Sequence, residues 1–484
     1  MFSRLFAFSR RTSIVTSVAV GLLLLLPSQL VLAQIGGGGG GVGGGVGGGV
    51  GNNQNPGVFA GVAVDAEGVL QRLTVNDPTG QLTRQRVRES MARLGREITE
   101  RSALRKVSLT RLARLIEQAI DEGHGPDEAM LHLAGLTRIQ YVFYYPETQD
   151  IVLAGPAEGW VETGAGRVVG FHTGQPTMEL QDLIVALRAF PPGQKSNPLV
   201  HCSIDATPEG LQRMQQFLSS VGRQIQPGDE QYIVAGLREN LGLQMITLGG
   251  ISSKTHFAQV MVEADYKMKL IGIGIEPAPA RIRSYLSLAS FASIARNAMC
   301  RWWFVPDYER IKMSADGNAA EFVGNGVKLV GEDELVARDG SRVQSGRQNR
   351  ASRKFTQSFT QKYAQIAKNA PVYGQLRNCV DMLVAAAFLQ EHDLYGKAGW
   401  DLSVLGNEEI YPVETYNAPQ QVASAVNSMW KGRHLATPVG GGVQIEAKQA
   451  LRAENLLADD KGEVEAARDA IDLSDLPADQ WWWD

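Results

Sequence analysis

A serine and a lysine near the end of this chain have a spacing that can support nucleophilic catalysis. Ser428 and Lys431 are three residues apart, and in Ser-x-x-Lys enzymes the lysine activates the serine. The companion Ser-Asp-Asn and Lys-Thr-Gly elements of such enzymes do not occur in the sequence. The pair also falls at the end of a predicted helix rather than at its start. We interpret the match as chance spacing on a surface helix.

Cysteine and histidine offer the other familiar route to a nucleophile or a metal ligand. Cys202 follows His201 on a predicted strand, so the two side chains point to opposite faces and the imidazole does not favour the thiolate. We predict that Cys202 is a buried strand thiol and that Cys300 and Cys379 pack in apolar helical surroundings. The seven histidines are scattered. We predict no metal site and no cofactor.

Clustered aromatic residues are the third chemical feature. Trp302 and Trp303 are adjacent on a predicted strand, and Tyr308 follows at the next turn. Unless both faces of the sheet are covered, one indole points outward, and exposed tryptophans stack on sugars and peptides. We predict a binding surface at Trp302, Trp303 and Tyr308; a sheet buried on both faces is the alternative. Other aromatic residues could extend this surface: Trp160, Trp400 and Trp430.

The hydrophobic periodicity predicts an α+β fold, with a helical N-terminal region followed by mixed sheets packed with helices. The predicted regions are a helical region 82–135, an α+β module 136–337, a basic exposed loop 338–354, a second α+β module 355–450 and an acidic tail 451–484. The predicted strands cover 139–145, 150–154, 167–171, 199–205, 244–251, 301–305, 311–313, 321–330, 402–405 and 410–416, with a last one near Val443. The later predicted helices cover 287–299, 355–367, 372–390 and 420–430.

Residues 1–33 have the composition of a signal peptide. Three arginines within the first eleven residues precede an apolar run at 14–26, which is too short for a comfortable membrane span. Val31 and Ala33 suit the positions that a signal peptidase recognises, which places cleavage between Ala33 and Gln34. An uncleaved N-terminal anchor is the alternative. No later stretch is long and apolar enough to span a bilayer, so we predict no membrane span after signal removal.

A glycine-rich segment follows the predicted cleavage site. Residues 36–51 are glycine interrupted only by three valines, and ordering so many glycines costs too much backbone entropy to sustain a fold. We predict a flexible tether over residues 34–57. A silk-like or adhesive role for this repeat is less favoured because the repeat is short.

Charge is distributed unevenly along the chain. Residues 84–114 carry ten basic residues against three acids, whereas the tail 451–484 carries ten acids against three bases and ends in Trp481–Trp483 and Asp484. Opposite charges attract when the fold brings them close, although salt screens such attraction beyond about 8 Å. We hypothesise that the tail docks on the predicted basic helices of this segment, residues 84–114, and that Trp481–Trp483 supply most of the binding energy. A solvated arginine face is the alternative.

Five segments resemble a domain-of-unknown-function family of exported proteins from planctomycete bacteria, and the resemblance covers roughly residues 130–450. The segments are MVEADYKMKLIGIGIEP at 261–277, RWWFVPDYE at 301–309, PVYGQLRNCVDMLVAAAFLQ at 371–390, WDLSVLGNEEIYPVETYNAPQQVASAVNSMWKG at 400–432 and TPVGGGVQI at 437–445. The resemblance implies a signal sequence and one extended module. It implies no activity and no functional residues.

These observations favour an exported, non-enzymatic binding or structural protein of the periplasm or cell surface. The net charge of −4 indicates no polyanionic partner, and we expect no nucleic-acid binding. The expected partner is a cell-wall or surface polymer, or a protein. The alternative is a hydrolase whose site is assembled from distant loops and uses Cys202 or Ser428.

The predicted processing has a direct test. Secreted protein should begin at Gln34, because the residues before it satisfy the cleavage rule. N-terminal sequencing of exported material checks this, and an intact Met1 would instead indicate an uncleaved anchor.

Overall fold

The structure is a computed structural model that describes residues 59–74, 77, 80–221, 229–290, 298–336, 342–430, 434–436, 439–471 and 473–484. The predicted signal peptide 1–33, its cleavage site at Ala33 and Gln34, and the predicted tether 34–57 lie outside these residues. No helix in the described part of the chain has the length and apolar character needed to cross a membrane.

Strands and helices alternate irregularly along the chain. The strands are β1 Phe59–Val64, β2 Val69–Thr74, β3 Ser102–Ser108, β4 Tyr141–Tyr145, β5 Asp150–Ala157, β6 Trp160–Glu162, β7 Val168–Gly170, β8 Val200–Asp205, β9 Leu243–Gly249, β10 Ala298–Asp307, β11 Arg310–Met313, β12 Ala319–Val323, β13 Gly326–Val336, β14 Arg342–Arg347, β15 Gln421–Ala423, β16 Ser428–Trp430, β17 His434–Ala436, β18 Gly440–Ile445, β19 Leu456–Ala458 and β20 Trp482–Trp483. The helices are α1 Gln81–Arg93, α2 Arg96–Thr99, α3 Leu109–Asp121, α4 Glu128–Leu131, α5 Leu180–Ala189, α6 Pro208–Val221, α7 Glu230–Leu241, α8 His256–Gly272, α9 Tyr285–Leu288, α10 Arg350–Gln361, α11 Tyr363–Asn369, α12 Pro371–Glu391, α13 Leu394–Ala398, α14 Ala447–Ala450 and α15 Glu463–Arg468.

Most strands belong to two mixed sheets, which confirms the predicted α+β class. One sheet has the order β1-β2-β15-β9-β8-β18-β10-β13-β14, and the other has the order β19-β11-β12-β4-β5-β3-β20. Within them β10 and β18, β2 and β15, and β11 and β19 pair parallel. The nine-stranded sheet takes strands from both predicted α+β modules.

Helix α12 lies in the core and reaches both sheets. Pro371 opens it at the first turn, where a missing N–H costs nothing, and its apolar residues surround the whole helix. Tyr373 near its start packs on Phe304 of β10 at 5.8 Å between ring centroids. Phe388 near its end packs on Phe322 of β12 at 5.9 Å. The helix therefore connects the nine-stranded sheet to the seven-stranded one.

The C-terminal tail completes both edges of the seven-stranded sheet. Strand β19 pairs with β11 at one edge, and β20 pairs with β3 at the other. Between them the tail crosses one face of the sheet, where Val464 and Leu473 join a buried cluster with Phe143 of β4. Covering exposed strand edges in this way removes sites for unwanted pairing.

The hypothesis that the tail docks on the basic helices is confirmed in part: Arg111 and Arg114 of α3 bind tail carbonyl groups, but the tryptophan strand β20 pairs with the strand β3 rather than with a helix. Trp481 and Trp483 are 6% and 3% exposed, and Arg105 pairs with Asp484 at 2.8 Å while its guanidinium lies over the Trp482 ring. Arg111 donates instead to tail carbonyl groups, those of Leu473, Pro477 and Gln480. Backbone pairing and buried indoles thus hold the end of the tail on the basic segment, and the ion pair between Arg105 and Asp484 adds to them.

Several predicted elements are wrong, and each depends on a distant partner. The predicted helical region 82–135 contains the strand β3, which pairs with β5. Because β3 contains an arginine and a lysine, its sequence did not indicate a strand. The segment 338–354, predicted as an exposed loop, contains β14 and the start of α10, although 338–341 lie outside the described residues. Residues 420–430 form the strands β15 and β16 rather than a helix. Residues 403–406 form a 3₁₀ turn, and 410–416 contain no strand.

Deleting residues 473–484 should make the basic segment susceptible to trypsin. The deletion removes β20 and the carbonyl groups that Arg111 binds, and it uncovers Arg105 and Lys106, which are buried in the intact chain. We expect new cleavage at these three residues within minutes at native conditions, detected by mass spectrometry of the fragments. Trp482→Ala, which removes only the half-exposed ring over Arg105, should leave Arg111 protected. Identical digests of the deletion variant and the intact chain would contradict the docking.

Candidate functional site

The predicted aromatic surface does not exist as one exposed patch. Trp302 is fully buried, donates its indole N–H to Ser352 at 2.9 Å and packs on Phe355 of α10. Tyr308 is buried as well and donates its hydroxyl to Asp381 of α12 at 2.7 Å. Trp303 points to the other face of β10, half-buried under the guanidinium of Arg301. The expectation fails because helices cover one face of the sheet.

The candidate thiol nucleophiles are also in unsuitable surroundings. Cys202, Cys300 and Cys379 are all free and buried, and burial raises the pKa of each thiol, that of Cys300 to about 12. A protonated thiol is a poor nucleophile. Ser428 lies in the strand β16, and Lys431 lies outside the described residues. No group of three or more potential metal ligands occurs in the described part of the chain.

Helix α8 carries acids and lysines that the fold buries in two groups. Asp265 pairs with Lys269 at 2.8 Å, and that lysine also donates to the carbonyl groups of Ile204 in β8 and Gly441 in β18. Burial raises the pKa of Asp265 to about 6, although Lys269 opposes the shift. Gly441 is required here because a Cβ would lie 1.7 Å from the carbonyl oxygen of Trp302. These contacts fix α8 to the sheet.

The second group on α8 lies near β1 and β2 of the same sheet, where Arg72 of β2 pairs with Glu276. Glu263 pairs with Arg167, which also donates to Gln375 of α12, and Lys267 lies 4.0 Å from Glu276. Glu263 and Asp265 are two residues apart on α8 and have different partners, Arg167 and Lys269. Buried ion pairs are weak evidence of stability, because the desolvation of both charges offsets their attraction.

One Asp–His pair has the geometry of a catalytic dyad. His256 at the start of α8 lies 2.8 Å from Asp182 of α5, and although burial lowers its pKa, the carboxylate raises it overall. A triad needs a hydroxyl or thiol on the other imidazole nitrogen. Among the described residues, no serine or cysteine forms a hydrogen bond with His256. The pair joins α5 to α8.

A cavity of about 370 Å³ lies where the tail meets the body, and we call it the tail pocket. Its volume is in the range of small-molecule sites. Four segments form it: the start of α3, the β4–β5 turn, the end of α13 and the tail. The lining residues are Thr110, Arg111, Arg114, Thr148, Gln149, Asp150, Ala398, Gly399, Trp400, Leu473, Leu476 and Ala478.

Local contacts make the frame of the tail pocket rigid. Ser108 caps α3 by accepting from the backbone N–H of Arg111, and its hydroxyl donates to Asp150 at 2.5 Å. Arg111 binds both carboxylate oxygens of Asp150 and then reaches the tail carbonyl groups. Gln149 holds a positive φ of 56°, which the tight β4–β5 turn imposes. These contacts fix Arg111 and Asp150, which we call the polar floor of the tail pocket, before any ligand binds.

Unpartnered polar atoms occur in the wall of the tail pocket. The hydroxyl of Thr148 and the indole N–H of Trp400 are covered by protein, and neither has a hydrogen-bond partner among the described residues. Such groups are rare in folded proteins and call for water or a ligand nearby. Arg114, in contrast, is exposed and makes one bond, to the Ala478 carbonyl at 2.5 Å. The sequence had indicated Trp400 and the basic segment, but not their proximity.

A larger cavity of about 510 Å³ borders the β13–β14 hairpin, with Glu332, Arg347 and Arg353 among its lining residues. Residues 337–341, which connect the two strands, lie outside the described residues. This cavity therefore carries no functional argument.

The three thiols should be unreactive in the native protein. Their exposed fractions are 0% for Cys202 and Cys379 and 6% for Cys300, and burial disfavours the thiolate. We expect almost no colour with Ellman's reagent at pH 8 and three equivalents in guanidinium chloride. A fast native equivalent that is lost in Cys202→Ala would restore the hydrolase alternative.

Comparison with known proteins gives one match. Residues 202–285, from β8 to the first residue of α9, match the model of a family described as "Protein of unknown function (DUF1598)". No curated protein and no solved structure matches this chain. The matched segment contains α8 with both groups of buried charges. The comparison thus supports a domain-of-unknown-function family, as the sequence resemblance implied.

Proposed function

We propose that this chain is an exported, non-enzymatic binding protein of the periplasm or cell surface, and that its ligand occupies the tail pocket. The observation that carries the proposal is the pocket itself, a cavity of about 370 Å³ with a fixed polar floor. Its apolar side consists of Leu473 and Leu476, and its polar side contains Arg114 and Gln149. Six of the twelve lining residues are polar or charged, so the pocket can contact a ligand that has both polar and apolar groups.

A binding role is favoured over the hydrolase alternative by the placement of the reactive groups. Among the residues whose side chains the structure describes, no serine, cysteine or histidine lines the tail pocket. The Asp150 carboxylate already accepts bonds from Ser108, Thr110 and Arg111, so it is poorly placed to act as a general base. Export itself is supported by the composition of residues 1–33, and a surface polymer or protein remains the proposed partner.

Filling the tail pocket should abolish ligand retention. Ala478 is exposed at the rim, and Ala478→Trp places an indole in the cavity while leaving the carbonyl that Arg114 binds. The mature chain, residues 34–484, is incubated with insoluble peptidoglycan, cellulose and chitin, and the bound fraction is measured after sedimentation. We expect the wild type to be retained by one of these polymers and the variant to bind at least about tenfold more weakly, a loss of about 1.4 kcal/mol or more.

Ala92→Trp is the matched control, because Ala92 is exposed on α1 and does not line the pocket. It should bind like the wild type. Equal retention of both tryptophan variants would place the ligand elsewhere, and no retention of the wild type would contradict a polymer-binding role.

A further inference from the structure

The charged groups that line the tail pocket do not cancel. Arg111 and Asp150 form a buried pair at 3.0 Å, and side-chain donors engage both oxygens of the carboxylate. Arg114 adds a second guanidinium, and no carboxylate of the described residues forms an ion pair with it. The lining residues that the structure describes therefore carry one net positive charge. Asp475 and Asp479 belong to the same tail segment but do not line the cavity.

The donors of the two arginines are used differently. The guanidinium of Arg111 donates to the frame of the pocket. Its acceptors are Asp150 and the carbonyl groups of Leu473, Pro477 and Gln480. Arg114 uses one nitrogen for the Ala478 carbonyl and leaves the rest of its planar group exposed at the rim. Arginine presents parallel donors that match the two oxygens of a carboxylate. Arg114 is thus the group that can receive a ligand.

Two further features favour an anionic group. The first turn of α3, with Thr110 and Arg111, lines the cavity, and the start of a helix carries partial positive charge. Trp400 also lines the cavity, and its indole N–H, which can only donate, is covered by protein and has no partner among the described residues.

The apolar wall limits the kind of anion. Leu473 and Leu476 flank the polar floor, so the charged group of the ligand must be attached to an apolar or amphipathic body. One net positive charge balances a monoanion, whereas a phosphate ester carries nearly two negative charges at neutral pH. A carboxylate on a compact body satisfies both conditions.

We propose that the tail pocket binds a carboxylate-bearing ligand, with Arg114 as the group that binds the carboxylate. This inference rests on the proposed binding function and names its ligand class. Peptides that end in a free carboxylate and sugars that carry a carboxylate share this chemistry. Within either source, the acid binds more tightly than its neutral counterpart.

Matched probes distinguish the contribution of the carboxylate to binding from that of the rest of the ligand. N-acetyl-alanyl-alanine is compared with its C-terminal amide, and glucuronic acid with glucose, by calorimetric titration of the mature chain at low salt. We expect the acid of one pair to bind about tenfold more tightly than its neutral counterpart, because a hydrogen bond to a charged group is worth more than a neutral one. The pair that shows the difference identifies the peptide or sugar source.

Variants then assign the preference to Arg114. Arg114→Gln should reduce the acid-to-neutral ratio to about twofold or less while leaving the affinity for the neutral probe within about twofold. Arg96→Gln removes the same charge from α2, where the side chain is 91% exposed and outside the pocket, and should keep the full ratio. Loss of the ratio in both variants would show a diffuse charge effect and overturn the role of Arg114.

The remaining outcomes distinguish this inference from the proposed function. Equal affinity of the wild type for acid and neutral probes, or no binding of any of the four, overturns the carboxylate inference. Retention of the wild type by a polymer, and its loss in Ala478→Trp, would still support the binding function in that case. If no polymer retains the wild type but an acid probe binds tightly, the carboxylate site is supported and a polymer is rejected as the ligand.

Discussion

The burial of α12 is the constraint on which the rest of this structure depends. Every residue from Val372 to Leu389 is buried, so the helix is covered by other elements from every side. Both sheets and the helices α5 and α8 provide that cover, and the aromatic contacts at its two ends hold the sheets on opposite parts of one helix. Two segments that could have formed separate modules therefore share a core.

Within that core, buried charges specify how the elements pack. Lys269 can satisfy its ammonium group only where Asp265 and the carbonyl groups of β8 and β18 converge. Asp381 likewise accepts hydrogen bonds from the Tyr308 hydroxyl and from the backbone N–H of Ile139. An unpaired buried charge costs several kcal/mol, so alternative packings that separate these groups are strongly disfavoured. Residues whose types suggest catalysis thus act here as parts of the frame.

The tail connects the fold to the proposed function. It supplies the last strand at each edge of the seven-stranded sheet, and on its way to β20 it forms one wall of the tail pocket. Arg111 serves both purposes, since it fixes Asp150 in the pocket floor and binds the tail carbonyl groups. A pocket built from a docked segment is complete only when that segment is in place. Stability of the tail and ligand binding are therefore linked.

The sequence by itself determined the elements whose signals are local. Alternation and turn residues predicted β4, β5 and β8 close to their observed bounds, and Pro371 with its apolar run predicted α12. The charge asymmetry and the terminal tryptophans predicted that the tail docks on the basic segment. The class of fold followed from the same periodicity, because spacing of apolar residues along the chain reports which face of each element is buried.

Only the tertiary structure decided which residues meet. Strands β3 and β15 exist because distant partners complete their hydrogen bonds, and a sequence window contains no record of those partners. Whether Trp302 lies on a surface depends on α10, more than fifty residues away, which covers it. The tail pocket joins Arg114, Gln149, Trp400 and Leu476, whose proximity no local pattern encodes. Strand pairing, the covering of faces and the assembly of a cavity are long-range events, and for that reason the structure alone placed the candidate site.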